Sequence, residues 1–132
     1  MPDELTIHIH PSDCDTAGHV NHASMLMLLE RGRWAALEKH LSFEDYIRRA
    51  QWAVVRHVEA SYSTPSRPGD DFIIRTGLMG IGNTSFTVRQ VAKNQRGDLV
   101  CEAKVVYVTL SPEGKPMPVP SEWRSIFSPW ED

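Results

Sequence analysis

One run of twenty residues constrains the fold more than any other part of the chain. Residues 21–40, "NHASMLMLLERGRWAALEKH", are rich in Leu, Met, Ala, Glu and Arg, all good helix formers. Apolar side chains nearly surround the first half through Ala23, Met25, Leu26, Met27, Leu28 and Leu29. A helix that is apolar all round is a buried helix. Asn21 suits its N-cap, and Lys39 and His40 suit the negative end of its dipole. The rest of the chain therefore has to supply a cover for this helix.

Mostly strands are left to supply it. Upstream, Leu5, Ile7 and Ile9 alternate with Thr6, His8 and His10, a strand pattern ended by Pro11. Downstream, Ser42 with Asp45 resembles a capping box opening a short second helix to about Ala50. Four β-rich runs then follow, "WAVVRHVEASY", "DFIIRTGLMGIG", "SFTVRQVAKN" and "DLVCEAKVVYVTL", separated by turn signals. "PSEWRSIF" suits a terminal helical turn. Strands at hairpin spacing imply an antiparallel sheet, and one helix cannot cover both its faces. The economical packing is an α+β fold: a five-stranded antiparallel sheet wrapped around one long central helix, as one domain over residues 1–132. An uncovered face or edge would favour a homodimer or homotetramer.

Composition narrows the partners. A net charge of −3 without any basic run argues against nucleic acid. No apolar stretch approaches membrane-spanning length, and the first residues lack a signal-peptide layout. Cys14 and Cys101 form no spaced framework, so a cytoplasmic protein with two free thiols is expected.

The densest chemistry lies in "SDCDTAGHVNH", Ser12 to His22. With His8 and His10 upstream, the loop offers Asp13, Asp15, His19 and His22 as donors for a divalent ion. The plainer reading, which we prefer, makes His8 and His10 polar strand-face residues and Asp13 a turn-former. Cys14 reads as a small buried residue rather than a nucleophile. Asp15 alone would read as an Asx-turn or helix cap.

The same loop opens a longer resemblance. "DCDTAGHVNHASML…LERGR" resembles the signature of the hotdog-fold acyl-CoA thioesterases of the 4-hydroxybenzoyl-CoA thioesterase type: a D-x-D-x-x-G loop, then the start of the long helix. "SYSTPSRPGDDFIIRT" is similar to that family's strand ending, P-x-x-x-G-D turn and next strand. "VVYVTLSPEGKPMPVPSEW" is similar to its last strand and closing segment. The match runs in order along nearly the whole chain.

The resemblance implies a thioester hydrolase that needs no cofactor and no metal. It carries the catalytic carboxylate onto Asp15, the second Asp of D-x-D, and the oxyanion donor onto the backbone N–H of His22. Around them, Gly18 would allow close approach of substrate, and Asn21 and His19 would hydrogen-bond within the loop or near the substrate. Glu30 is a second candidate, since another hotdog group uses a glutamate on the central helix; the plain reading pairs it with Arg33 along the helix. Met25 would line an acyl or aryl pocket, and Thr84 and Ser85 could donate to a pantetheine or phosphate. Here the chain reads "GNTSF" where some relatives carry adjacent basic residues. Arg56, Arg67, Arg75 and Arg89 are scattered candidates for nucleotide contacts. The expected substrate is an acyl-CoA or acyl-carrier-protein thioester. A hydratase or dehydratase on the same fold, and a non-catalytic acyl-binding protein, are the alternatives.

Overall fold

The computed structural model describes residues 1–48 and 52–131. It contains β1 (Asp3–His8), α1 (His22–Glu38), α2 (Phe43–Arg48), β2 (Trp52–Tyr62), β3 (Asp71–Ile81), β4 (Ser85–Lys93) and β5 (Leu99–Leu110). Short 3-10 turns cover Pro11–Asp13 and Ser121–Ser125. The Ser42 hydroxyl accepts from Asp45 N–H at 3.1 Å, so the second cap forms as expected. The expected end of α2 at Ala50 lies outside the described residues.

The five strands make one antiparallel sheet in the order β1-β3-β4-β5-β2. Hairpin neighbours hold for β3–β4 and β4–β5. The chain from β2 to β3 instead crosses the sheet, which leaves β2 as an edge strand beside β5. Inward side chains such as Phe72, Ile74, Val88 and Val105 are fully buried against α1 and its flanks. Burial of each stabilises the fold by about 1.5–3 kcal/mol.

Along α1 the buried positions are Met25, Leu28, Leu29, Gly32, Arg33, Ala36 and Leu37, one stripe at helical spacing. This corrects the expectation of burial on all sides: Leu26 is 38% exposed and Met27 69%. The physical reason is that a single sheet offers one concave face, and the far side of the helix has no cover within the chain. Gly32 sets the helix–sheet distance, since a Cβ there would stand 2.9 Å from Ile74 Cγ2 and 3.2 Å from Gln90 Nε2.

The expected Glu30–Arg33 ion pair is also corrected. Arg33 falls on the buried stripe, so its guanidinium turns under the helix. There Nε donates to the Tyr107 hydroxyl at 2.6 Å and Nη1 to Gln90 Oε1 at 3.0 Å. Gln90, wholly buried on β4, donates in turn to the Leu29 carbonyl at 2.8 Å and to Thr76 Oγ1 at 3.0 Å. One polar network thus ties α1 to β3, β4 and β5.

Both ends of the chain are fastened to this core. Lys39 and His40, at the end of α1, reach Asp3 on β1 at 3.7 and 3.1 Å. Beyond the end of β1, residues Ser128 to Trp130 take its place beside β3: Leu78 N–H donates to Ser128 O and Leu78 O accepts from Trp130 N–H. The Trp130 ring covers Gly77, with the Arg75 and Arg89 guanidinium carbons 5.2 and 4.7 Å from its centroid.

Candidate active site

The polar loop leaves β1 through a 3-10 turn whose first N–H, that of His10, donates to Asp13 Oδ2 at 2.9 Å. Asp13 is therefore a turn-former, as expected. The loop then doubles back on itself. Asp15 N–H donates to His19 O at 2.9 Å, Gly18 N–H to Asp15 O at 3.0 Å, and Cys14 bridges Val20. Gly18 has φ of 75°, a left-handed conformation that a residue with a Cβ adopts at a cost. Asp15 Oδ1 accepts from Ala17 N–H at 2.9 Å and, more weakly, from His19 N–H at 3.4 Å. Asp15 closes an Asx-turn, and its exposed carboxylate keeps its second oxygen clear of any described hydrogen bond.

Two residues further on, α1 begins. Asn21 is its N-cap, with Oδ1 accepting from Ser24 N–H at 2.8 Å. That bond commits the Asn21 amide oxygen to the helix. The N–H groups of His22 and Ala23, in the first turn, have no acceptor among the described residues, and first-turn N–H groups carry the positive end of the helix dipole.

A cavity of about 310 Å³ opens beside this helix start, lined by His19, Val20, His22 and Met25 and by the β2–β3 connection from Tyr62 to Ser66. Met25 is 2% exposed and belongs to the core as well as to the wall. The stretch Tyr62–Ser66 is a part of the site that sequence reasoning missed. In the sequence it reads as the end of a strand followed by a turn signal, and no residue in it announced a wall role. It is pinned by Val20 N–H to Ser66 O at 3.3 Å and by Ser63 N–H to Val100 O at 2.9 Å.

Asp70 fixes the far end of that connection. Ile9 N–H donates to its carbonyl at 2.8 Å, and Gly69 N–H returns a bond to Ile9 O at 2.7 Å. Burial by itself would push the Asp70 carboxyl up. Hydrogen bonds from Gln95 Nε2 at 3.0 Å and Arg67 N–H at 3.1 Å, with the Arg96 guanidinium at 3.5 Å, outweigh burial and hold it below the usual carboxylate range. The turn and the Asp15 loop are thereby fastened to the end of β1.

Cys14 is raised by burial and by the carboxylates of Asp13, Asp15 and Asp70, so its thiol stays protonated at neutral pH. That chemistry suits a packing residue and opposes nucleophilic attack. His8 pairs with Asp71 at 2.7 Å and meets the His10 ring edge-on. Among the described residues no group of three or more His, Cys, Asp or Glu side chains is placed to share an ion.

Other expected site residues are not gathered here. Glu30 is exposed and lines a different cavity farther along α1. Thr84 and Ser85, the residue before β4 and its first residue, sit at the end of the sheet opposite the Asp15 loop, about 25 Å away along the strand. Arg75 and Arg89 pack on Trp130 at the outer sheet face. The strands separate these groups because β3 carries the chain away from the loop before β4 begins, which sequence proximity to a motif does not reveal.

The model of the thioesterase-like superfamily matches residues 9–127. The chain belongs to that superfamily. It is a thioester hydrolase of hotdog fold. The long-chain acyl-CoA thioesterase FadM of Escherichia coli is 27% identical over 108 residues, covering 81% of this chain and 82% of that protein. The chloroplastic acyl-acyl carrier protein thioesterase ATL3 of Arabidopsis thaliana is 23% identical over 94% of this chain, which spans 66% of the longer plant protein. Among solved structures, the probable thioesterase YbaW of Escherichia coli superposes with a TM-score of 0.83 at 26% identity, over 93% of this chain and 94% of that one. Among the described residues no helix is long and apolar enough to cross a membrane.

Proposed function

We propose that the chain hydrolyses an acyl-CoA or acyl-carrier-protein thioester at the loop between β1 and α1. Asp15 supplies the attacking oxygen, or deprotonates the water that does. The free N–H of His22 polarises the thioester carbonyl. The observation that carries this reading is the half-committed carboxylate of Asp15: one oxygen is fixed by Ala17 N–H at 2.9 Å, the other is open, and a free helix N-terminus follows in the next turn of chain. The cavity beside His22 and Met25 supplies a place for the acyl or pantetheine portion.

The same reading includes self-association through β2. That edge strand presents Trp52, Val54, Val55, Val58 and Tyr62, each between 39% and 49% exposed. A second copy pairing there would cover them and the bare side of α1, giving a homodimer or a homotetramer built from it. Light scattering coupled to size exclusion checks this; a monomer at micromolar concentration would remove it.

Asp15→Asn tests the catalytic assignment. Asparagine keeps the acceptor that closes the Asx-turn and removes the charge. Thiol release from short, long and aryl acyl-CoAs and from an acyl-carrier protein should fall by about 10²–10⁴-fold at unchanged thermal stability. Turnover equal to wild type would take Asp15 out of the reaction.

A further inference from the structure

A second cavity, of about 270 Å³, lies between the C-terminal half of α1, α2, the start of β2 and the 121–125 turn. It shares no lining residue with the cavity at His22. Its first helical wall residue, Glu30, is eight residues past His22, about 12 Å along the axis. Six aromatic rings stand in its wall: Trp34, Tyr46, Phe86, Tyr107, Trp123 and Phe127. A closed apolar cavity of about 150 Å³ holds one benzene ring, so this space takes a larger flat body.

Two polar features set the cavity apart from ordinary core packing. Arg33 lines it and is 9% exposed, yet no carboxylate lies within 4 Å of its guanidinium among the described residues. Its two described bonds go to neutral oxygens, those of Tyr107 and Gln90. Guanidinium carries five N–H donors, which leaves three without a described acceptor. A buried cation met only by neutral groups is costly, and a carboxylate offers it the matching two-oxygen partner. Independently, Trp123 lines the same cavity at 2% exposure with Nε1 buried and unpaired. Glu30 is the acidic member of the wall; it is exposed to water and forms no ion pair with Arg33.

We propose that this ring-lined cavity binds a small aromatic carboxylate, its flat body among the rings and its carboxylate on Arg33. Trp123 Nε1 is a further donor to the same ligand. Carboxylates are also what thioester hydrolysis releases, so the occupant belongs to the chemical class of the product. Binding itself needs no turnover and stands apart from the role of Asp15.

Isothermal titration with 1-naphthoate, with 1-naphthalenemethanol as its uncharged counterpart, tests the proposal on the wild-type protein. One naphthoate should bind per chain with Kd of about 1 mM or tighter, and roughly tenfold more tightly than the alcohol, the ratio that 1.4 kcal/mol produces. Arg33→Met, shown to be folded by circular dichroism, should bind the two probes alike, and Asp15→Asn should bind naphthoate as wild type does. Absence of saturable naphthoate binding, equal affinity of wild type for acid and alcohol, or loss of binding in Asp15→Asn would overturn it. Should Arg33→Met fail to fold, the acid-to-alcohol ratio on wild type decides alone.

Discussion

Arg33 and Gln90 meet beneath the central helix, Nη1 donating to Oε1 at 3.0 Å in a fully buried setting. Gln90 spends both its donors on Leu29 O and Thr76 Oγ1, so a single side chain satisfies a cation, a helix carbonyl and a strand hydroxyl together. Gln90→Ala should destabilise the fold by about 3–5 kcal/mol, because it strips a buried cation of a partner and opens a cavity. Urea unfolding followed by far-ultraviolet circular dichroism measures it; a loss under about 1 kcal/mol would mean that the network is dispensable.

Asn21 holds the start of α1 through a single side-chain bond to Ser24 N–H. Asn21→Ala should cost about 1 kcal/mol, which for a chain of this size lowers Tm by about 3–5 °C. Asn21→Asp should retain most of the stability. Calorimetric scans of the three proteins compare them directly.

Asp70 links stability to pH. Its folded-state carboxyl lies below its unfolded value, near about 3.9, because hydrogen bonds from Gln95 and Arg67 and the Arg96 charge outweigh the burial that opposes them. The stability it contributes is therefore present above that unfolded value and is lost as pH falls through the folded one. Acid unfolding of wild type should steepen below about pH 4, and Asp70→Asn should flatten that limb. Identical acid limbs in the two proteins would contradict the assignment.

Thiol chemistry reports on the loop. Cys101 is wholly buried and pushed up to about 11, and Cys14 is raised by burial and by its acidic neighbours. At pH 8 Ellman's reagent should label Cys101 only after unfolding, and Cys14 several-fold more slowly than a free cysteine. Asp15→Asn removes one of the charges that hold the Cys14 proton in place, so its labelling should quicken. An unchanged rate would separate Asp15 from Cys14 electrostatically.

Much of this architecture is carried by local patterns. Alternation placed β1, β-rich runs between turn signals placed the other four strands, and Asn21 and Ser42 announced both helix caps. Each depends on residues within a few positions of one another. What local pattern misses is set by contacts across the sheet. Arg33 reads as the partner of Glu30 until the stripe that faces β4 is known. Leu26 and Met27 read as core because a local pattern does not show that the sheet covers one side of the helix alone. Tyr62 to Ser66 reads as a plain connection because its wall role exists only once β2 ends beside the start of α1. Thr84 and Ser85 stand at the other end of the sheet, and a motif position says nothing about which end of a strand it occupies.

The turn at Asp15 has a genetic consequence. Aspartate and asparagine codons differ by a single base, and both residues supply the oxygen that closes an Asx-turn on Ala17 N–H. A one-letter change in the gene would thus yield a chain with the same loop, the same helix start and the same core. Shape-based classification would file the two together, and under the role proposed for Asp15 only the charge on one side chain would separate a working enzyme from its silent copy.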